Sequence, residues 1–311
     1  MKVLITGCAG FIGGNLTERF LEDGYDVLGV DCITYAGNSE TIAELHTNKN
    51  FTFQKKRIGE ITSDDLKQVS LVVNLAAESH VDNSIISSES FVQTNIVETH
   101  RLLNVCRETE TPILHFSTDE VYGVVDDGSF VETDCMNPRN PYSATKSSID
   151  HLIHSYQNTY DFKSTIIRPS NNFGPRQNKE KFIPTIVRSI CDGKKIPIYG
   201  KGEQVREWTF VKHTAAAASF LSSEILNGRC IGEIFNFSSS VEMKNVDMVV
   251  NVCRIMNVDF ESSTEFVEDR LGHDFRYSVD CKKILNAGFS FTVDFEKELS
   301  TTVQRLVMEN K

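Results

Sequence analysis

The 311-residue sequence predicts an α/β fold: a doubly wound parallel sheet followed by a smaller C-terminal domain. Three observations carry that expectation. Short β-branched apolar runs alternate with segments of helical spacing through the first half. A glycine-rich turn directly follows the first of these runs. After Arg168-Pro169 the rhythm breaks into segments punctuated by Gly174, Pro175, Pro184, Gly193, Pro197, Gly200 and Gly202.

The elements follow in order. Runs of strand length lie at 2–6, 26–31, 51–55, 70–75, 112–116 and 164–168. Phe91, Val92, Asn95, Ile96, Thr99, Leu103 and Cys106 recur at helical spacing, and helices are expected around 84–109 and 143–160. Residues 1–170 form the expected dinucleotide-binding domain and 171–311 a second, substrate-binding domain, with 206–237 returning to the first sheet.

Composition narrows the function classes. A hydrophobic share of 40% and a charged share of 24% describe ordinary globular material. The net charge of −11 argues against nucleic acid or an anionic membrane as partner, so an anionic ligand must be met by local cations and backbone N–H groups. Met1-Lys2 runs straight into Val3-Leu4-Ile5, with no expected leader, and no apolar run approaches the ~20 residues of a membrane span. The eight cysteines are scattered without a CxxC pair, the pattern of reduced thiols in a cytoplasmic protein rather than of a zinc site.

Thr6-Gly7-Cys8-Ala9-Gly10-Phe11-Ile12-Gly13 has GxxGxxG spacing between a strand and a helix. Glycine allows the tight turn, close approach of a pyrophosphate, and tight helix–strand packing; the helix N-terminus adds N–H donors. Asp31 ends the second strand, where a carboxylate accepts from ribose hydroxyls and repels a 2′-phosphate, which favours NAD over NADP. Glu60-Ile61 and Leu75-Ala76-Ala77 are expected at the ends of the third and fourth strands, beside adenine and ribose; for Ala76-Ala77, plain core packing is the competing reading. Cys8 is expected to pack as a small hydrophobe.

Ser117-Thr118-Asp119-Glu120-Val121-Tyr122-Gly123 sets two carboxylates directly after a buried run. Taken alone, it reads as a solvated turn. Farther on, Tyr142 and Lys146 form a YxxxK pair one helical turn apart, and an ammonium near the phenol stabilises the phenolate. A lone YxxxK is usually a surface pair; a nucleotide motif and a Ser/Thr strand end give it a catalytic meaning.

These stretches together resemble the extended short-chain dehydrogenases/reductases, Rossmann-fold enzymes acting on nucleotide sugars. They are closer still to the nucleoside-diphosphate-glucose 4,6-dehydratases. The resemblance runs nearly end to end through Thr34-Tyr35-Ala36-Gly37-Asn38, Ala76-Ala77-Glu78-Ser79-His80-Val81-Asp82, STDEVYG, Asn140-Pro141-Tyr142-Ser143-Ala144-Thr145-Lys146, Ser170-Asn171-Asn172-Phe173-Gly174-Pro175, Ile198-Tyr199-Gly200-Lys201-Gly202 and Asp269-Arg270-Leu271-Gly272-His273-Asp274. It implies C4 oxidation with Tyr142 as base, Lys146 lowering its pKa and holding nicotinamide ribose, and Thr118 bonding the C4 oxygen. Glu120 then removes the C5 proton, Asp119 protonates the departing C6 hydroxyl, and hydride returns to C6. Close carboxylates in a desolvated pocket disfavour double ionisation, which fits one acid and one base.

By the same resemblance Thr34, Asn95 and Asn172 join the cofactor set. Ser79, Asn171, Lys181, Pro197, Tyr199, Arg206, Asn245, Arg270 and His273 join the substrate set, and the two long helices form a homodimer interface. Their apolar stripes could equally face their own sheet. Leu271 stands where the family often has proline. The base is left open between dTDP, which is favoured, and UDP. The alternatives are a 4-epimerase or decarboxylase of the same fold, against which the Asp119-Glu120 pair argues, and a silent NAD or nucleotide-sugar binder.

Overall fold

The computed structural model describes residues 1–269 and 275–310. Among the described residues the strands are β1 (Lys2–Thr6), β2 (Asp26–Asp31), β3 (Phe51–Lys55), β4 (Leu71–Asn74), β5 (Ile113–Phe116), β6 (Ser164–Pro169), β7 (Asn171–Phe173), β8 (Ile196–Tyr199), β9 (Val205–Phe210), β10 (Ile234–Phe237), β11 (Glu242–Lys244) and β12 (Thr264–Val267). The first six coincide with the strand runs read from sequence, to within a residue at either end.

Seven strands form one parallel sheet in the order β10-β6-β5-β4-β1-β2-β3. Helices cover both faces, so β1, β4 and β5 read as unbroken apolar runs rather than alternating ones. One core, around Val3, Phe20, Leu114 and Phe237, lies on one face. A second, around Leu4, Leu102, Ile149 and Ile166, lies on the other. The chain reverses direction between β1 and β4, the position where a doubly wound sheet opens a crevice at its carboxyl edge.

Of 206–237, the helix Val211–Leu226 packs its alanine face on the large sheet and β10 becomes that sheet's edge. The opening strand β9 instead pairs with β7 and β11 in a three-stranded sheet, so it does not return to the large one. Its Trp208 belongs to a third core with Phe173, Ile186, Met248 and Val303. β8 and β12 form a two-stranded parallel pair nearby.

Two helices position the chemistry. The helix Pro141–Tyr160 starts where Asn140 caps it, accepting from the Ser143 N–H at 2.8 Å with Pro141 at the first position. It ends at Asp161, whose left-handed backbone stops propagation. The helical run from Glu89 to Glu108 contains a π-helical stretch, Val92–Glu98, a wide turn of the kind found near functional sites. Among the described residues no helix is long and apolar enough to cross a membrane.

Candidate active site

A cavity of about 600 Å³ runs along the carboxyl edge of the large sheet and on between β7, β8 and β9. Gly7, Gly10, Phe11, Ile12 and Gly13 line its floor. Gly7 has φ +70°, and a Cβ on Gly13 would stand 2.0 Å from the Gly7 carbonyl oxygen, so only glycine closes this turn. Cys8 is fully buried against β2, where a Cβ on Gly29 would come within 2.7 Å of its sulfur.

Asp31 lies on the cavity wall and accepts from the Ala9 N–H at 3.0 Å and the Ile33 N–H at 2.7 Å. Burial raises its pKa, and those two donors oppose the rise. A carboxylate fixed there suits ribose hydroxyls and repels a 2′-phosphate. Thr34, Ala76 and Ala77 share the wall. The glycine cradle and the carboxylate together fit NAD.

Glu60 and Ile61 do not line the cavity. β3 ends at Lys55, and the chain turns at once into the short helix Ile58–Glu60, which leaves Arg57 and Ile58 at the sheet edge. Glu60 accepts from the Arg57 N–H at 2.9 Å, and Ile61 is buried in the second core. Asn95 is likewise absent from the wall. It holds the wall from behind, its side chain accepting from the Glu78 N–H at 2.8 Å and donating to the Glu78 carbonyl at 2.9 Å. The same amide donates to Thr145 Oγ1 at 2.9 Å, so it ties the loop after β4 to the Tyr142-bearing helix.

Thr118, Asp119, Glu120, Tyr142 and Lys146 converge on the cavity midway along its length. β5 ends at Phe116, and the turn Asp119–Tyr122 projects both carboxyls from the sheet edge. Asp119 is only 3% exposed; its Oδ1 accepts from the Thr118 hydroxyl at 3.2 Å, and its Oδ2 is buried with no hydrogen-bond partner among the described residues. Burial, then the charges of Glu120 and Glu207, push Asp119 well above the usual carboxylate range, the state of a proton donor. Glu120 Oε2 accepts from Asn140 Nδ2 at 3.1 Å.

Burial, followed by Glu120, pushes the Tyr142 phenol far above its ordinary value, while a hydrogen bond with Thr118 opposes the rise. Burial also lowers Lys146 to about 8, with Asp150 opposing. Lys146 Nζ donates to the Phe116 carbonyl and sits 3.5 Å from His115 Nε2.

A buried polar chain runs behind that lysine. Thr6 Oγ1 accepts from the Leu75 and Ala76 N–H groups, so its own proton goes to Asn74 Oδ1 at 2.7 Å. Asn74 Nδ2 then faces His115 Nδ1 at 3.1 Å. Nearby, Asp150 accepts from the Ser117 hydroxyl and from Arg168 Nε, each at 2.9 Å. Neither network was anticipated, since an Asn or Arg inside an apolar run gives no sign of which strand it will face.

Toward the second domain, Ser79, Asn171, Asn172, Lys181, Pro197, Tyr199, Arg206 and Asn245 all line the cavity. The Arg206 guanidinium stacks 4.6 Å over the Tyr277 ring, and its Nη1 donates to the Val205 carbonyl at 2.8 Å and the Phe275 carbonyl at 3.2 Å. Asn172 Oδ1 accepts from Thr214 at 2.6 Å. Arg270, Leu271 and His273 lie outside the described residues. Sequence reasoning missed Asn140, Trp208 and Tyr277 on the wall; the spacing of Trp208 two residues from Arg206 on β9 was the available signal. Among the described residues no group of three or more His, Cys, Asp or Glu is placed to hold a metal ion.

Comparison with known proteins agrees with this geometry. The family model for GDP-mannose 4,6 dehydratase matches residues 4–302. The low-salt glycan biosynthesis protein Agl12 of Haloferax volcanii is 41% identical over 97% of this chain and 97% of its own. A dTDP-glucose 4,6-dehydratase of Escherichia coli is 36% identical over 98% of this chain and 92% of its own. The crystal structure of DesIV, a dTDP-glucose 4,6-dehydratase from Streptomyces venezuelae solved with NAD, superposes with a TM-score of 0.94 at 35% identity, covering 100% of this chain and 98% of that one. A family model spanning nearly the whole chain, over a cavity that brings the glycine turn, the YxxxK pair and two adjacent carboxyls together, makes this chain a member of the GDP-mannose 4,6 dehydratase family.

Proposed function

We propose that this protein is an NAD-dependent nucleoside-diphosphate-glucose 4,6-dehydratase, a lyase that yields the 4-keto-6-deoxy sugar. The observation that carries the reading is the Asp119-Glu120 pair on the same cavity wall as Tyr142 and Lys146. Oxidation at C4 alone needs only the Tyr142 pair; a second, paired acid and base are required only where water is eliminated.

When bound, NAD supplies a hydride acceptor for C4 and a donor for C6. Tyr142 takes the C4 hydroxyl proton, helped by the positive charge of Lys146, and Thr118 holds the C4 oxygen. The resulting ketone acidifies C5–H. Glu120 removes that proton, and Asp119 delivers its own to the C6 oxygen, which leaves as water. A proton returns to C5, and with the hydride that bound NAD would carry from C4 to C6 the balance is sugar to 4-keto-6-deoxy sugar plus one water. Arg206, Lys181, Asn171 and Asn245 are the residues we assign to the nucleotide diphosphate and base end, with Ser79, Pro197 and Tyr199 beside them.

The same reading divides the chain into a cofactor unit, residues 1–170 joined by 211–237, and a substrate unit from the remainder of 171–311. It favours dTDP-glucose, with UDP-glucose as the competing substrate. It also makes the protein a cytoplasmic homodimer. The helices Pro141–Tyr160 and Thr99–Glu108 lie side by side, joined by Tyr156 donating to Asn104 at 2.7 Å, and leave Ala144, Ser148, His151, His100 and Arg101 exposed. A second copy covers that face, and light scattering at micromolar concentration reads the mass directly.

The deciding experiment is mass spectrometry after incubation with NAD and, separately, dTDP-glucose and UDP-glucose in D₂O. Loss of one water with one deuterium gained is expected, faster with dTDP-glucose. An unchanged mass with both sugars overturns the dehydratase.

A further inference from the structure

Asn140 serves two elements at once. Its Oδ1 caps the catalytic helix by accepting the Ser143 N–H at 2.8 Å, and Ser143 Oγ accepts the Asn140 N–H at 3.3 Å in return. Because the cap requires the oxygen, the orientation of the amide is fixed. Nδ2 is left as a donor, and it meets Glu120 Oε2 at 3.1 Å. The reach across 20 residues is built in, since the Asn137 N–H donates to Val121 O at 2.9 Å and Gly123, at φ +83°, allows Asn137 O to approach where a Cβ would collide at 2.5 Å.

Among the described residues Asp119 has no comparable donor. It receives only the Thr118 hydroxyl, and its second oxygen is buried and orphaned, an arrangement that suits a carboxylic acid better than an anion. A hydrogen bond to a carboxylate favours its ionised form. Among the described residues, the other charged or titratable groups around the pair include Tyr142 on the capped helix, and Arg206 and Glu207 from β9. Of the donors fixed on the pair, Asn140 meets only Glu120.

We propose that Asn140 is a positioning residue that assigns the single proton of the pair, keeping Glu120 ionised as the C5 base and leaving Asp119 protonated as the acid, while the same amide holds the helix that carries Tyr142. This rests on the dehydratase reading and supplies what the sequence left open, namely which of two adjacent carboxyls keeps the proton.

The test compares Asn140→Ser and Asn140→Asp with the wild-type protein in D₂O, following deuterium entry at C5 from pH 5.5 to 9 together with thermal stability. Both variants retain an oxygen that can cap the helix. Serine is too short to reach Glu120, and aspartate sets a carboxyl against it. C5 exchange is expected to slow roughly tenfold at pH 6 in Asn140→Ser, the loss of one hydrogen bond to a charged group. Asn140→Asp should be slower still, both should recover as the pH rises, and melting temperature should hardly move. Profiles that superimpose on the wild type, or a loss that is equal at every pH and follows a lowered melting temperature, overturn the proposal. A wild-type protein that releases no water from either sugar nucleotide overturns the dehydratase reading first, and this inference with it.

Discussion

His115 Nε2 lies 3.5 Å from Lys146 Nζ, at the end of the buried chain that begins at Thr6. Thr6 spends its proton on Asn74, Asn74 turns its amine to His115 Nδ1, and the imidazole proton is thereby left on Nε2, facing the lysine. Burial, then the charge of Lys146, holds His115 well below its ordinary pKa, so it stays neutral. An N–H aimed at an amine favours the uncharged amine. The network and the burial therefore act in the same direction, each lowering the hold of Lys146 on its proton.

That arrangement has a stability signature. Folded Lys146 releases its proton near pH 8, against 10.5 for an ordinary lysine. Between those values the unfolded chain binds the extra proton, so stability rises with pH; below pH 8 the full penalty applies, about 3 kcal/mol. Lys146→Met removes it. The melting-temperature difference between variant and wild type, measured without NAD, should shift in the wild type's favour between pH 8 and 10.5. A difference that stays flat across that window would contradict the buried-amine account.

Each carboxyl has a separable failure. Glu120→Gln should abolish deuterium entry at C5, whereas Asp119→Asn should retain C5 exchange but release water roughly 10²–10⁴-fold more slowly. Unchanged C5 exchange in the Glu120 variant would remove it from the base role.

The cofactor turn leaves no room for a methyl group. Gly13→Ala puts a Cβ 2.0 Å from the Gly7 carbonyl, so backbone must move, at a cost of about 1–3 kcal/mol in fold or in NAD affinity. Isothermal titration with NAD should register it. Asp31→Ser, by contrast, should fold normally and lose preference for NAD over NADP; a preserved preference would assign discrimination elsewhere.

Asp150 and Arg168 are 1% and 2% exposed and hydrogen-bonded at 2.9 Å. Asp150→Asn leaves the guanidinium buried and uncompensated, which should lower stability by about 3–5 kcal/mol in denaturant titration. Asp150 also receives the Ser117 hydroxyl at the end of β5, so turnover should fall along with stability.

The sequence by itself determined six strands of the large sheet, the glycine turn, Asp31 and the spacing of Tyr142 and Lys146, because each is a local pattern, whereas the parts given to Thr118, Asp119 and Glu120 came from the resemblance and not from the turn itself. Strand periodicity, a turn that admits only glycine, and i to i+4 spacing are all set within a few residues. Tertiary structure decided the rest. Arg57 and Ile58 reach the cavity in place of Glu60 and Ile61 because β3 ends before a short helix that no periodicity announces. β9 leaves the large sheet for β7 and β11, since an apolar strand does not encode its partner. Asn95 turned out to brace the wall instead of lining it, and Asn140 to meet Glu120, through contacts 17 and 20 residues apart in the chain. A hydrogen bond across such a distance depends on where two backbones finally pack, and that is fixed only when the cores on both faces of the sheet have closed.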